Sequence, residues 1–168
     1  MIKKFNSLFV TLCGVGNIKY APGSAASLLT TLILFYLFNL KDFSSLSILV
    51  YLFFISFYSF YAVESYIIEN DNKDPKEVVI DEVIGQAIPI CLYELALGSK
   101  NSFEENCLFY LYIFILFRFF DIKKPFPVNY FDKNFKNCFG VIIDDVVAGL
   151  YVVLTLVLFV VIKSKLFI

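Results

Sequence analysis

The chain twice sets two acids side by side in an apolar run: Asp81 and Glu82 in "VVIDEVIGQ", then Asp144 and Asp145 in "VIIDDVVAG". A single carboxylate in the first turn of a helix meets free backbone N–H groups and the positive dipole end, a gain of about 0.3–1 kcal/mol. Neighbouring helical side chains diverge by about 100°, so only one acid of each pair can serve that way. The other is left beside apolar segments, where an unpaired carboxylate costs at least about 2.5–3.5 kcal/mol. A hard cation answers that cost, because Mg²⁺ takes carboxylate oxygens together with water and phosphate oxygens. The repeat reads as two helix starts presenting acids to one centre. Gly85 and Gly149 follow Asp81 and Asp145 by one turn. Lacking side chains, they admit a metal, a phosphate or a second helix, and ordinary small-residue packing in membranes would use them equally well.

Between the pairs lies "FRFFDIKKPFPVNYFD". Arg118 and Asp121 share a helix face, with Lys124 a further turn along. Pro125 and Pro127 end that helix and force an extended exit. A basic belt at a membrane edge accounts for Lys123. Asp121, set among Arg118 and Lys124, reads as a carboxylate held ionised by its neighbours. The two cations suit a phosphate, Arg118 by its planar fork and Lys124 as a point charge. A fourth piece, "GVGNIKYAPGSAAS", is a turn that becomes a helix start at Ser24 and Ser27. Free N–H groups and hydroxyls there form an anion site, although plain capping explains Ser24 as well. Walker spacing is missing, so a nucleotide P-loop is not supported.

Composition names the scaffold that must hold these groups. Of 168 residues, 60% are hydrophobic and 19% aromatic, and mean hydropathy is +0.78, a balance that belongs to membranes. A net charge of −1 gives no electrostatic case for nucleic acid. Histidine is absent, which removes His nucleophiles, bases and metal ligands. Cys13, Cys91, Cys107 and Cys138 lack metal or disulfide spacing and read as reduced packing residues. The opening "MIKKFNSLFVTLCGVG" imitates a signal peptide, but Gly14, Gly16, Asn17 and Lys19 break its apolar run, so retention is expected.

Five apolar stretches cover 24–40, 46–63, 83–97, 107–120 and 146–162. The third carries Gln86, Pro89 and Glu94, and the fourth is cut short by Arg118, so these two are the doubtful spans. With the N-terminus inside and five crossings, Lys3, Lys4, Lys19, Lys73, Lys76, Arg118, Lys123, Lys124, Lys133 and Lys136 lie inside. Only Lys41, Lys100, Lys163 and Lys165 lie outside, the asymmetry expected of a cytoplasmic inner face. This parity gathers all four motifs on that face. The expected fold is all-α: a compact multi-helix bundle, integral to the membrane, with motif loops on one face and residues 1–168 as a single domain. The loop around Asn70 to Pro75 is the most turn-rich segment.

With the four pieces in this order, the chain resembles the phosphatidylglycerophosphatase A family of bacterial membrane lipid phosphatases. D-E-x-x-G, F-R-x-x-D-x-x-K-P-x-P and D-D-x-x-A-G carry the resemblance jointly. The resemblance implies Mg²⁺-dependent hydrolysis of phosphatidylglycerophosphate to phosphatidylglycerol and phosphate. The family's acidic positions, catalytic and metal-binding, fall on Asp81, Glu82, Asp121, Asp144 and Asp145, and Arg118, Lys124, Ser24 and Ser27 are the expected phosphate contacts. It further implies the bacterial inner membrane, an active site on the cytoplasmic face, and the bilayer as partner; no oligomeric state follows. Two departures concern loop geometry: Ala26 stands where the family has a second glycine, and Asn137 and Cys138 where it has Gly-Gly. A small cation transporter is the competing class, since intramembrane carboxylates also mark ion paths. The acids sit at segment ends rather than mid-membrane, which argues against it, and a purely structural subunit leaves the Arg118–Asp121–Lys124 cluster unexplained. A covalent aspartyl-phosphate route lacks its D-x-D-x-[TV] arrangement.

Overall fold

A computed structural model describes residues 2–70, 75–135 and 137–166. Lys73, Lys136 and most of the turn-rich stretch between Asn70 and Pro75 lie outside the described residues. The helices are α1 (Ile2–Val10), α2 (Pro22–Asn39), α3 (Ser45–Asn70), α4 (Ile80–Ala96), α5 (Phe103–Lys123), α6 (Val128–Asn134) and α7 (Cys138–Leu166), with no strand among the described residues. The five long ones coincide with the five apolar stretches. Two short helices are additional. Neither α1 nor α6 contains a long apolar run, and each is held by tertiary contacts rather than by its own length. For α1 these are Tyr58 Oη donating to Asn6 Oδ1 at 2.6 Å and the Val79 N–H donating to the Val10 carbonyl at 2.9 Å.

Among the described residues, only α2, α3 and α7 are long and apolar enough to cross a membrane by length and composition. The third stretch falls short for a reason visible in the packing. Helix α4 lies at the centre, packed against α7 most extensively and also against α2, α3 and α5. It buries Asp81, Ile84, Gly85, Gln86, Ala87, Pro89, Ile90, Cys91 and Tyr93. A helix wrapped by protein does not face lipid, so it can carry polar side chains inward. The outward faces are apolar instead: Tyr51, Phe53, Phe54, Phe57 and Tyr61 of α3 are all exposed. An exterior of that kind matches hydrocarbon rather than water.

The α4–α7 crossing is backbone against backbone. A Cβ built on Gly149 would fall on the Gly85 carbonyl oxygen, and one built on Gly85 would lie 2.6 Å from the Asp145 carbonyl oxygen. Pro89 sharpens this contact. It has no N–H to give the carbonyl four residues back, which is that of Gly85, so this oxygen is left for the facing helix. Of the three uses open to these glycines, they serve the approach of a second helix. Replacing Gly149 by Val should therefore lower stability by at least about 1–3 kcal/mol, the usual cost of overpacking. The thermal midpoint in detergent micelles reads the loss, with Leu150→Val on the exposed face of the same helix as the unchanged control.

Candidate active site

The crossing brings the two acid pairs together. Asp81 and Glu82 occupy the first turn of α4, where the dipole end favours them. Asp144 and Asp145 do not start a helix: α7 begins at Cys138, and the second pair lies in its second turn. The expectation of two equivalent helix starts is corrected here. The extra turn exists because Asn137 caps α7, its Oδ1 accepting the Gly140 N–H at 3.1 Å. A departure from the family pattern thus supplies the cap. Ala26, the other departure, is fully buried inside α2 rather than in a loop.

Asp81, Glu82 and Asp145 each place a carboxylate oxygen within 4.8 Å of the other two. Asp81, Asp144 and Asp145 are 8%, 7% and 4% exposed. Within each pair the first acid accepts the backbone N–H of the second, Glu82 N to Asp81 Oδ1 at 3.1 Å and Asp145 N to Asp144 Oδ1 at 3.0 Å. The remaining acids are held by cations. Arg118 Nη1 lies 2.7 Å from Asp121 Oδ2, and Lys124 Nζ lies 2.8 Å from Asp144 Oδ2. Lys124 reaches α7 because the prolines end α5 at Lys123 and leave Lys124 in a left-handed conformation (φ 45°). Asp121 also contacts the Asp145 carboxyl, so all five acids belong to one cluster.

These groups line a cavity of about 340 Å³ with Gly23, Lys76 and Phe135 among its walls. The cavity gathers the starts of α2, α4 and α7 and the end of α5, the ends that the charge count assigned to one side. Ser27 sits beneath it, fully buried; its hydroxyl accepts from Arg118 Nη1 at 3.2 Å and donates to the Gly23 carbonyl at 2.9 Å. It holds Arg118 in place. Ser24 is partly buried and is not among the lining residues. The first turn of α2 already abuts an anion: a Cβ on Gly23 would collide with Glu82 Oε1. Lys76, Phe135 and Gly140 were not singled out from the sequence, where nothing but loop position marks them.

The donor set fits a hard divalent cation. Octahedral Mg²⁺ binds oxygens at about 2.0–2.1 Å, so opposite ligands stand about 4.2 Å apart. Three carboxylate oxygens within 4.8 Å need only a small inward movement. Glu82 Oε2 is buried with no hydrogen-bond partner among the described residues, as an oxygen awaiting a cation would be.

Fold and site together define a helical membrane protein with a buried carboxylate centre walled by two phosphate-compatible cations. A family model described as Phosphatidylglycerophosphatase A matches residues 8–160, and the chain belongs to that family. A phosphatidylglycerophosphatase A of Haemophilus influenzae is 42% identical over 81 residues, which cover 48% of this chain and 44% of that relative. The match thus spans less than half the length of that relative. A Bacteroides thetaiotaomicron protein with the provisional name phosphatidylinositol-3-phosphatase is 35% identical over 142 residues, 82% of each chain. An Escherichia coli phosphatidylglycerophosphatase A is 47% identical over 36 residues, 21% of each chain. No solved structure gives a significant match.

The two ion pairs make a prediction. Lys124→Met leaves the Asp144 carboxylate buried beside an apolar side chain and should cost about 3 kcal/mol, as breaking a buried pair does. The Lys124→Met/Asp144→Asn double variant should regain most of that loss in a thermal melt. Equal melts for single and double variants would show the pair to be idle.

Proposed function

We propose that the chain hydrolyses the terminal phosphomonoester of phosphatidylglycerophosphate, with Mg²⁺ held by Asp81, Glu82 and Asp145. The observation that carries this reading is the convergence of three carboxylates, Asp81 and Asp145 buried and Glu82 half-buried, with Arg118 and Lys124 in one cavity of lipid-headgroup size. When bound, the cation would supply Lewis acidity toward the phosphoryl oxygens and activate water. The chain's own residues do the rest. Arg118 and Lys124 bind non-bridging phosphate oxygens and neutralise the charge that grows on them. Asp121 and Asp144 aim those two cations, and Ser27 holds the Arg118 guanidinium by accepting from its Nη1. That group has five N–H donors, so it can keep Asp121 and Ser27 and still receive a phosphate oxygen. A carboxylate of the cluster not engaged by metal orients the attacking water and takes its proton. The water oxygen bonds to phosphorus as the P–O bond to glycerol breaks, the proton held by that carboxylate passes to the departing glycerol oxygen, and inorganic phosphate departs.

The setting follows from the same reading. The protein sits in the bacterial cytoplasmic membrane, with the basic inner end and the cavity toward the cytoplasm. Acyl chains remain in the bilayer while the phosphomonoester meets the site.

Purified protein in phosphatidylcholine vesicles doped with phosphatidylglycerophosphate should release phosphate when Mg²⁺ is added and stop when EDTA is added. Phosphatidylinositol 3-phosphate, offered in parallel, should be turned over more slowly; the reverse order would reassign the headgroup. Asp81→Asn and Asp145→Asn should each lower kcat at least about a hundredfold, the scale of a lost transition-state electrostatic contact. Near-normal turnover by both, with protein folded in the membrane, would overturn the assignment. Movement of cations across the same vesicles without phosphate release would point to the transporter class instead.

A further inference from the structure

The α6 segment has no part in the acid site, yet the residue directly after it, Phe135, lines the cavity. Phe126 is 80% exposed and Tyr130 51% exposed. From them ring contacts lead to the half-buried Phe135: Phe126 to Tyr130 at 6.5 Å and Tyr130 to Phe135 at 6.3 Å. Phe135 is itself a wall of the cavity. Rings therefore connect the outer surface with the cavity wall.

The depth of this surface is fixed by α7. Tyr151 Oη donates to the Phe126 carbonyl at 2.5 Å. Tyr151 lies beyond Asp145 along α7, and helical side chains lean back toward the N-terminus. Phe126 is thus held alongside the membrane-length helix near the level of the acids, not out in the loop space above them. Neighbouring surfaces continue the same character: Phe119 and Ile122 of α5 and Leu150 and Leu154 of α7 are all exposed. Exposed Lys123 and Lys133 flank the patch. Apolar and aromatic rings edged by lysines match the boundary between acyl chains and anionic headgroups.

We propose that Phe126 and Tyr130 form a lipid seat. The glycerol and acyl portion of a phospholipid rests on their outward face while its terminal phosphate passes Phe135 into the cavity. This rests on the phosphatase reading and deepens it, by making the side of α6 the route for substrate from the leaflet. It also gives the short helix a purpose that its sequence did not announce. The seat serves acyl-bearing substrate only; a water-soluble phosphomonoester can enter the open cavity directly.

The chain contains no tryptophan, so Phe126→Trp gives a single fluorescent reporter. In vesicles of phosphatidylcholine and phosphatidylglycerol, acyl-brominated phosphatidylcholine should quench it and aqueous acrylamide should not. The opposite pattern overturns the seat. The Phe126→Ser/Tyr130→Ser variant changes exposed side chains and should fold normally. Its kcat/KM for long-chain phosphatidylglycerophosphate in vesicles should fall about tenfold, mostly through KM, with less than about a twofold change for a short-chain soluble analogue. Equal losses on both substrates, or none on either, overturn the seat. Wild-type protein inactive on both substrates, with the Phe126→Trp reporter still quenched by brominated lipid, would overturn the phosphatase reading and leave the lipid contact standing.

Discussion

The close crossing of α4 and α7 is the constraint on which the site depends. Gly85 and Gly149 let two backbones touch, and the acids sit one turn before each glycine. Closer helix axes shorten the distance between the carboxyls those helices carry. A side chain at either glycine would pry the helices apart at the level where three carboxylate oxygens now lie within 4.8 Å. Metal affinity of such a set depends on geometry held to a few tenths of an ångström. The rigidity comes from small-residue packing, the form of helix association that works where lipid leaves no hydrophobic drive between helices.

Charge is the second constraint, and it is handled by division. Five clustered acids would repel one another strongly in a buried setting. Two of them are paired with Arg118 and Lys124, and the other three remain together. The pairing sorts equivalent-looking carboxylates into those that aim cations and those able to hold one. It also places both cations over the cavity without leaving them as unpaired buried charges. Local sequence determines who pairs with whom: prolines at 125 and 127 end α5, and the left-handed turn at Lys124 sends its side chain across to α7.

Helix content, the five long segments and the acid cluster were legible in the sequence because each rests on local signals: apolar runs, motif spacing, proline stops. The doubt over the third and fourth segments was also legible, but its cause was not. Gln86, Pro89 and Glu94 looked like faults in a membrane span, and only the packing explains them, since α4 is enclosed by other helices. The second acid pair was misplaced by a turn because a pattern of acids and a glycine does not reveal where a helix begins. Asn137, whose side chain sets that beginning, looked like a lost glycine. Ser27 was read as a phosphate contact from its place at a helix start, whereas its neighbour in space, Arg118 from α5, takes up its hydroxyl. Such cross-helix partners leave no trace in linear spacing.

The enclosure of α4 bears on how the protein is assembled during synthesis. Asp81, Glu82, Gln86 and Glu94 fall within its seventeen residues, and each makes solitary entry into a bilayer unfavourable. Helices α2 and α3 leave the ribosome before α4 and both pack on it. They form a partial shell that shields two of its sides, while α5 and α7 arrive later to close the others. Insertion and folding cannot be separate stages for the helix at the centre. It enters as part of a growing bundle, and the acids that define the cavity become buried only when the last helix crosses it.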